Sequence, residues 1–180
     1  GEAVNLPHNA VDLPYNYFDE TCYQRQFTYQ KVIAWRPEFE GREVALMFDG
    51  AMADSVVYVN GEQVVAHPDG YTPFTARLTE RLVEGDNLVT VKIDGSENPA
   101  IPPFGGQIDY LTYAGIYRDV WLRVTAPVYI GNVKIETPDV LAPKKTVKIR
   151  VDIANPRGLK LAGRVSVTLK DAAGKTIGRD

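Results

Sequence analysis

Polar and apolar residues alternate along most of the chain, and turn signals interrupt the alternation at short intervals. In residues 21–32, Tyr23, Arg25, Phe27, Tyr29 and Lys31 alternate with Cys22, Gln24, Gln26, Thr28 and Gln30. Residues 42–49 set Val44, Leu46 and Phe48 on one side. Residues 55–59 and 62–67 flank Asn60-Gly61, a pair that tolerates positive φ and so predicts a two-residue hairpin turn of the primed type. Residues 88–94 set Val89, Val91 and Ile93 against Leu88, Thr90, Lys92 and Asp94. A period of two puts successive side chains on opposite faces of a strand. Residues 70–74 read as a turn, and residues 78–83 as a short helical turn ended by Gly85-Asp86-Asn87. No ten-residue stretch keeps a helical period, so the predicted fold is all-β, an antiparallel sandwich or barrel.

The pattern changes over residues 98–124. Residues 98–113 mix prolines, glycines and aromatics with no settled period and read as a long irregular loop. From Tyr117 onward alternation returns, with Arg118, Val120, Leu122 and Val124 opposed to Tyr117, Asp119, Trp121 and Arg123. Adjacent Arg118 and Asp119 are expected on opposite faces, with an inward Arg118 paired to an acid such as Asp49 or Asp54. Trp121 is expected in the core or at a domain interface. Ala114-Gly115 forms the joint where the chain can turn sharply. A long loop feeding a firm strand holds binding residues on a rigid scaffold.

After Pro127 three further strands are expected, at residues 129–137, 146–154 and 164–170, and residues 171–175 open a hairpin to a partial fourth. Charge marks a boundary there. Residues 1–126 hold 9 Lys and Arg against 18 Asp and Glu, and residues 127–180 hold 11 against 5. Domains are therefore expected at 1–126 and 127–180. Unpaired strands in the second are expected to present open edges.

Net charge is −3, so no basic field draws nucleic acid. No apolar run approaches the roughly 20 residues that cross a bilayer. The single Cys22 excludes an internal disulfide and a cysteine-based metal cluster, and it reads as a small buried residue in a strand. Glu38, Glu40, Glu43, Glu80 and Glu84 read as solvated charge. His8 and His67 stand alone in the sequence, His67 as an edge residue. No nucleophile motif, phosphate loop or zinc spacing occurs. The chain is expected to be cut at both ends, starting almost inside a motif and stopping just after a strand.

Five phrases carry a family likeness. They are Phe48-Asp49-Gly50, Val57-Tyr58-Val59-Asn60-Gly61-Glu62, Gly70-Tyr71-Thr72-Pro73-Phe74, Gly85-Asp86-Asn87-Leu88-Val89-Thr90-Val91 and Ala114-Gly115-Ile116-Tyr117-Arg118-Asp119-Val120-Trp121-Leu122. In this order, behind an opening Val4-Asn5-Leu6-Pro7-His8-Asn9-Ala10, the chain resembles glycoside hydrolase family 2, the β-galactosidase, β-glucuronidase and β-mannosidase group. The resemblance implies an eight-stranded jelly-roll (galactose-binding-like) sandwich followed by a partial immunoglobulin-like sandwich. It also implies a catalytic TIM barrel beyond them as the chain's own partner. Glycoside hydrolysis needs two carboxyl groups flanking one bond. The family mounts both on that barrel, so this chain alone is expected to be inactive.

The resemblance points to Asp109, six residues before Gly115. An aspartate at that spot in the family's β-galactosidases reaches the barrel's site, where it helps hold a sodium ion and galactose hydroxyls. A carboxylate suits both tasks. The bland reading is a loop-capping aspartate. Asn9 and His8 are further candidates to face the sugar, and Tyr110, Tyr113 and Gln107 to line the rim. The implied cofactors are none in this chain alone and Na+ or Mg2+ in the full-length enzyme. The aromatics Tyr15, Tyr17 and Phe18 in residues 12–20 either stack on sugars or plug the sandwich end. Three readings follow. The first is the non-catalytic N-terminal part of a β-galactosidase, or of a β-glucuronidase, acting on β-linked sugars. The second is a free-standing carbohydrate-binding module, and the third a structural or adhesive sandwich. A homo-oligomer is expected to be open to it, with no nucleic acid or membrane partner. The sequence does not give the compartment: the resemblance leaves the bacterial cytoplasm, the periplasm and the exterior open.

Overall fold

A computed structural model describes residues 1–12, 16, 20–22, 24–105, 110 and 112–179. Two units divide the chain, Gly1–Pro127 and Val128–Asp180. The first is a sandwich of two antiparallel sheets. One sheet contains β1 (Gln26–Ala34), β3 (Asp54–Val59), β4 (Glu62–Pro68) and β6 (Asp86–Asp94), in the order β1-β6-β3-β4. The other contains β2 (Glu43–Phe48), β5 (Phe74–Arg77) and β7 (Val120–Thr125), in the order β5-β2-β7. Seven strands are thus found among the described residues, where the resemblance implied eight.

The alternation read from sequence fills the space between the sheets. Val57 and Val59 of β3 and Val89, Val91 and Ile93 of β6 point inward from one sheet. Val44, Leu46 and Phe48 of β2, with Phe74 and Ala76 of β5, meet them from the other. Phe48 and Phe74 stack face to face, centroids 4.6 Å apart. Burying each large side chain is worth roughly 1.5–3 kcal/mol, so this inter-sheet layer is the main source of the unit's stability. The hairpin between β3 and β4 turns through Asn60 at φ 51° and Gly61 at φ 86°, the expected primed geometry. Asn60 does more than turn. Its side chain donates to the Arg81 carbonyl and to Asn87 Oδ1, and accepts from the Leu88 amide. Asn87 is fully buried, and its amide group donates to the carbonyls of Ile33, Val83 and Gly85.

Several expectations move. β1 begins at Gln26, and Glu20–Cys22 is a 3-10 turn, so Cys22 is a half-buried turn residue and not a strand residue. β5 was hidden in the sequence between an expected turn and an expected helical turn. Residues 79–81 form a plain turn. β7 starts only at Val120, so Arg118 and Asp119 precede it. Trp121 pairs with Met47 on the outer face and is 57% exposed, which removes it from the core. Glu43 is not solvated: it is 5% exposed, and its carboxylate accepts from Arg77 (3.1 Å) and the Thr79 hydroxyl (3.2 Å). On that outer face Ala45 lies in register between Arg77 and Arg123. Long arginine stems cover small neighbours, which accounts for the burial of Ala45. Tyr15, Tyr17, Phe18 and Tyr23 lie outside the described residues.

Gly115 carries the tightest constraint. Residues 114–116 run between two other segments. His8 and Ala10 amides donate to the carbonyls of Ile116 (2.7 Å) and Ala114 (2.8 Å) on one side. Met52 and Gly115 exchange bonds of 2.9 and 3.4 Å on the other. Gly115 has φ +85°, and a Cβ there would strike the Tyr29 hydroxyl and lie 3.1 Å from the Ala10 methyl.

The second unit pairs β8 (Tyr129–Glu136) with β9 (Lys148–Ala154), and β10 (Thr168–Lys170) with β11 (Thr176–Arg179). β10 is shorter than residues 164–170 promised.

Gly115→Ala is expected to lower stability by at least about 2 kcal/mol, since left-handed strain of roughly 1–2 kcal/mol adds to the collision with Tyr29. Gly61→Ala, at φ +86° with open space around it, meets the strain alone and loses roughly 1 kcal/mol. Urea midpoints of the two variants check the difference, and equal losses would show that the Tyr29 contact does not matter.

Candidate functional site

Described residues on both sides of 106–109 share a small core of their own. Met52, Ala53 and Ile101 are buried together, with Tyr71, Phe104 and Tyr117 packed around them. The turn between β4 and β5 delivers Tyr71. Asp69 Oδ1 accepts from the amides of Tyr71 (2.7 Å) and Thr72 (3.1 Å), an aspartate turn that needs no repeating structure. A Cβ on Gly70 would strike the Met52 sulfur, so the turn sits directly on that core.

Four tyrosines converge here. The hydroxyls of Tyr71 and Tyr110 are 3.0 Å apart. The Tyr117 hydroxyl donates to the Gly70 carbonyl at 2.7 Å. Tyr113 stacks on Tyr117, centroids 4.6 Å apart and planes within 3°. Arg118 lies 5.2 Å from the Tyr117 centroid, and its guanidinium donates to the carbonyls of Tyr71 (3.2 Å) and Asp49 (3.4 Å). Burial, then the Tyr110 hydroxyl, push the Tyr71 phenol up. Burial also raises Tyr117, against the opposing pull of Arg118. Both phenols therefore stay protonated near neutrality and remain hydrogen-bond donors.

Asp109 and Gln107 lie outside the described residues. Tyr110 is 52% exposed and Tyr113 54%. Asn9 and His8 sit at the joint: Asn9 Oδ1 accepts from the Ala114 amide (2.7 Å), its amide group donates to the Val11 carbonyl (2.8 Å), and His8 Nδ1 shares a 2.9 Å bond with the Tyr29 hydroxyl. His67 is not solitary. It lies within β4, stacks on Phe74 at 4.6 Å and bonds to Thr72. Arg118 is exposed and bonds to carbonyls, not to the Asp49 or Asp54 carboxylates; Asp49 Oδ2 instead accepts from Trp121 Nε1 at 2.9 Å. Sequence reasoning missed Tyr71 and Met52. The phrase Gly70-Tyr71-Thr72-Pro73-Phe74 was the available signal for Tyr71, while nothing in sequence marked Met52. Among the described residues, no group of three or more His, Cys, Asp or Glu is placed to hold a metal ion, and no helix is long and apolar enough to cross a membrane.

The chain is similar to known proteins. The family model described as "Glycosyl hydrolases family 2, sugar binding domain" matches residues 4–127. A protein of Rhizobium meliloti named β-galactosidase is 59% identical over 170 residues, covering 94% of this chain and 22% of its own length. A β-glucuronidase of Bacteroides fragilis is 30% identical over 175 residues, covering 95% of this chain and 24% of its own. A solved structure, also from Bacteroides fragilis, superposes with a TM-score of 0.81 at 29% identity over 99% of this chain and 28% of that one. The chain thus spans about a quarter of the length of the relatives it matches.

The Asp69 turn sets a pH dependence. Burial pushes the Asp69 carboxyl up, but the amides of Tyr71 and Thr72, the Thr72 hydroxyl and His67 outweigh it, and the net shift is downward. Asp94 is held low by the Ser96 hydroxyl, the Ser96 amide and Gln26. A folded-state value below the unfolded one, about 3.9, contributes stability above roughly pH 4 that is lost as pH falls through the folded value. Urea midpoints of wild type should therefore fall between pH 6 and pH 3. Asp69→Asn should start lower at pH 6 and fall less; an unchanged slope would remove Asp69 from this role.

Proposed function

The chain belongs to glycoside hydrolase family 2, with residues 4–127 as its sugar-binding domain, and from this premise we propose that it is the non-catalytic N-terminal part of a larger β-galactosidase. One observation carries the reading. The chain aligns with a named β-galactosidase over nearly all of its own length while spanning only 22% of that protein. The bond-breaking carboxylates then belong to a TIM barrel that follows, and this unit steadies the barrel and lends it the segment 95–119.

In this reading Asp109 contacts sugar hydroxyls and helps ligate Na+ or Mg2+, with the barrel supplying the remaining ligands. Tyr110 lines the same rim. Asn9 and His8 serve the sugar site from behind, by holding residues 114–116 from which the segment is hung; their hydrogen bonds support that role. The partners are the chain's own barrel and β-linked sugars. The β-glucuronidase relative keeps a second substrate open, a β-glucuronide.

The test compares this 180-residue chain with the complete protein that carries it, on chromogenic β-galactoside and β-glucuronide. The complete protein should cleave the galactoside faster, and the chain alone should cleave neither. A hydrogen bond to a charged group is worth about 1.5–3 kcal/mol. Asp109→Asn should thus lower kcat/KM of the complete enzyme by roughly 10- to 150-fold, with the thermal midpoint of this chain nearly unchanged. Turnover by the chain alone overturns the proposal. A large loss of stability in Asp109→Asn would make the aspartate a loop cap. Preference for the glucuronide would move the substrate, and firm micromolar sugar binding by the chain alone would make it a free-standing binding module.

A further inference from the structure

Tyr110 and Tyr113 are built unlike ordinary surface rings. Each is more than half exposed, yet each is backed by a second tyrosine, Tyr71 from the turn between β4 and β5 and Tyr117 from just before β7. Tyr71 pins the hydroxyl of Tyr110, and Tyr117 stacks beneath Tyr113. Both supports are tied to the same turn: the Tyr117 hydroxyl donates to the Gly70 carbonyl, and Arg118 donates to the Tyr71 carbonyl. Beneath them lie Met52, Ala53 and Ile101. An exposed tyrosine normally samples several rotamers at no cost. Fixing two of them against a shared foundation loses that entropy in advance, which favours a ligand that needs flat, preorganised rings.

We propose that Tyr110 and Tyr113 form an aromatic ledge that stacks against the C–H face of a pyranose ring in a β-linked saccharide. This rests on the reading above and extends it, because the ledge takes the sugar unit beside the one whose bond is cut. The chemistry matches. A β-pyranose offers a face of C–H bonds rimmed by hydroxyls. A phenol offers a π face of negative charge with a hydroxyl at its edge. The hydroxyls of Tyr110 and Tyr113 lie at the ring edges and the Arg118 guanidinium lies beside Tyr117, while the Tyr71 and Tyr117 hydroxyls are engaged with Tyr110 and the Gly70 carbonyl. Donors set next to an apolar face are what a sugar, alternating C–H and O–H, can satisfy in full.

The test is saturation-transfer NMR on the 180-residue chain with lactose as probe, methyl β-galactoside as a one-ring control and sorbitol as an open-chain control. Lactose should bind with a dissociation constant on the order of 10 mM, taking saturation from the aromatic protons, and sorbitol should not. Tyr113→Ala should weaken lactose binding about tenfold, equivalent to about 1.4 kcal/mol of stacking. Tyr113→Phe should stay within twofold, because the Tyr113 π face and not its hydroxyl makes the contact. Tyr71→Phe should weaken binding by a smaller factor by freeing Tyr110. Amide spectra of each variant report whether the unit is folded, and Tyr113→Leu, which keeps apolar bulk without the π face, replaces Tyr113→Ala if the latter unfolds. Absence of saturation transfer to lactose at 50 mM, or equal binding by wild type and the folded Tyr113 variant, overturns the ledge. The outcome is separable from the proposed activity. Galactoside turnover by the complete enzyme with no lactose signal from this chain sinks the ledge alone, and a lactose signal without turnover sinks the activity alone.

Discussion

The fold of the first unit depends on how Ala114, Gly115 and Ile116 are gripped. All three are buried, and a buried backbone polar group left without a partner costs as much as a lost hydrogen bond. Here the partners come from three places far apart in sequence. Ala114 N–H is met by the Asn9 side chain, and its carbonyl by the Ala10 amide. Gly115 trades both its groups with Met52, and the Ile116 carbonyl accepts from His8. The Tyr29 hydroxyl occupies the space a side chain at 115 would need. Only glycine closes this joint, and closing it draws the N-terminal segment, β1 and the residues after β2 onto one short stretch.

That joint anchors the chain just ahead of β7 without a full strand. Among the described residues of 95–105 and 112–119 the one ladder contact is the Met52–Gly115 bridge, and side chains and local turns satisfy much of the remaining backbone. Asn98 accepts from the Ala100 amide, Asp94 from the Ser96 amide, and Asp69 from the turn opposite. The small core at Met52 holds Ile101 and Phe104, and the joint holds residues 114–116. Rigid placement matters for any group meant to meet a ligand, because misplacement by about 1 Å can cost a large factor in rate.

What the sequence disclosed follows from which interactions are local. Period two marked β1 and β6, because their inner and outer faces meet unlike surroundings. Asn60-Gly61 marked its turn, because the backbone requirement is confined to two residues. β5 did not show: Phe74-Thr75-Ala76-Arg77 is four residues long, and the small, fully buried Ala76 gives no strong apolar signal. Glu43 read as solvated because its burial depends on Arg77 and Thr79, more than thirty residues away. Trp121 read as core because a large aromatic in an alternating stretch usually is. The register of β7 against β2 puts it opposite Met47 instead, on the outer face, with its indole nitrogen satisfied by Asp49. Of the candidate site, Tyr110 and Tyr113 were legible as rim aromatics. Their supports Tyr71 and Tyr117 stood inside the quoted phrases, but their pairing did not show, since a hydroxyl pair across 39 residues leaves no periodic trace.

The two units divide stability unequally. Every buried side chain among the described residues lies at or before Ile116. In the second unit Ile130, Val133, Ile135 and Ile153 all stand more than a third exposed on the paired strands β8 and β9. Two-stranded ribbons are marginal on their own, because they cannot bury an apolar face. Cooperative unfolding of this chain therefore belongs to the first unit, whose inter-sheet layer and joint unfold together. The surface on which the tyrosines sit shares that stability, because its foundation at Met52 is the same residue that grips Gly115.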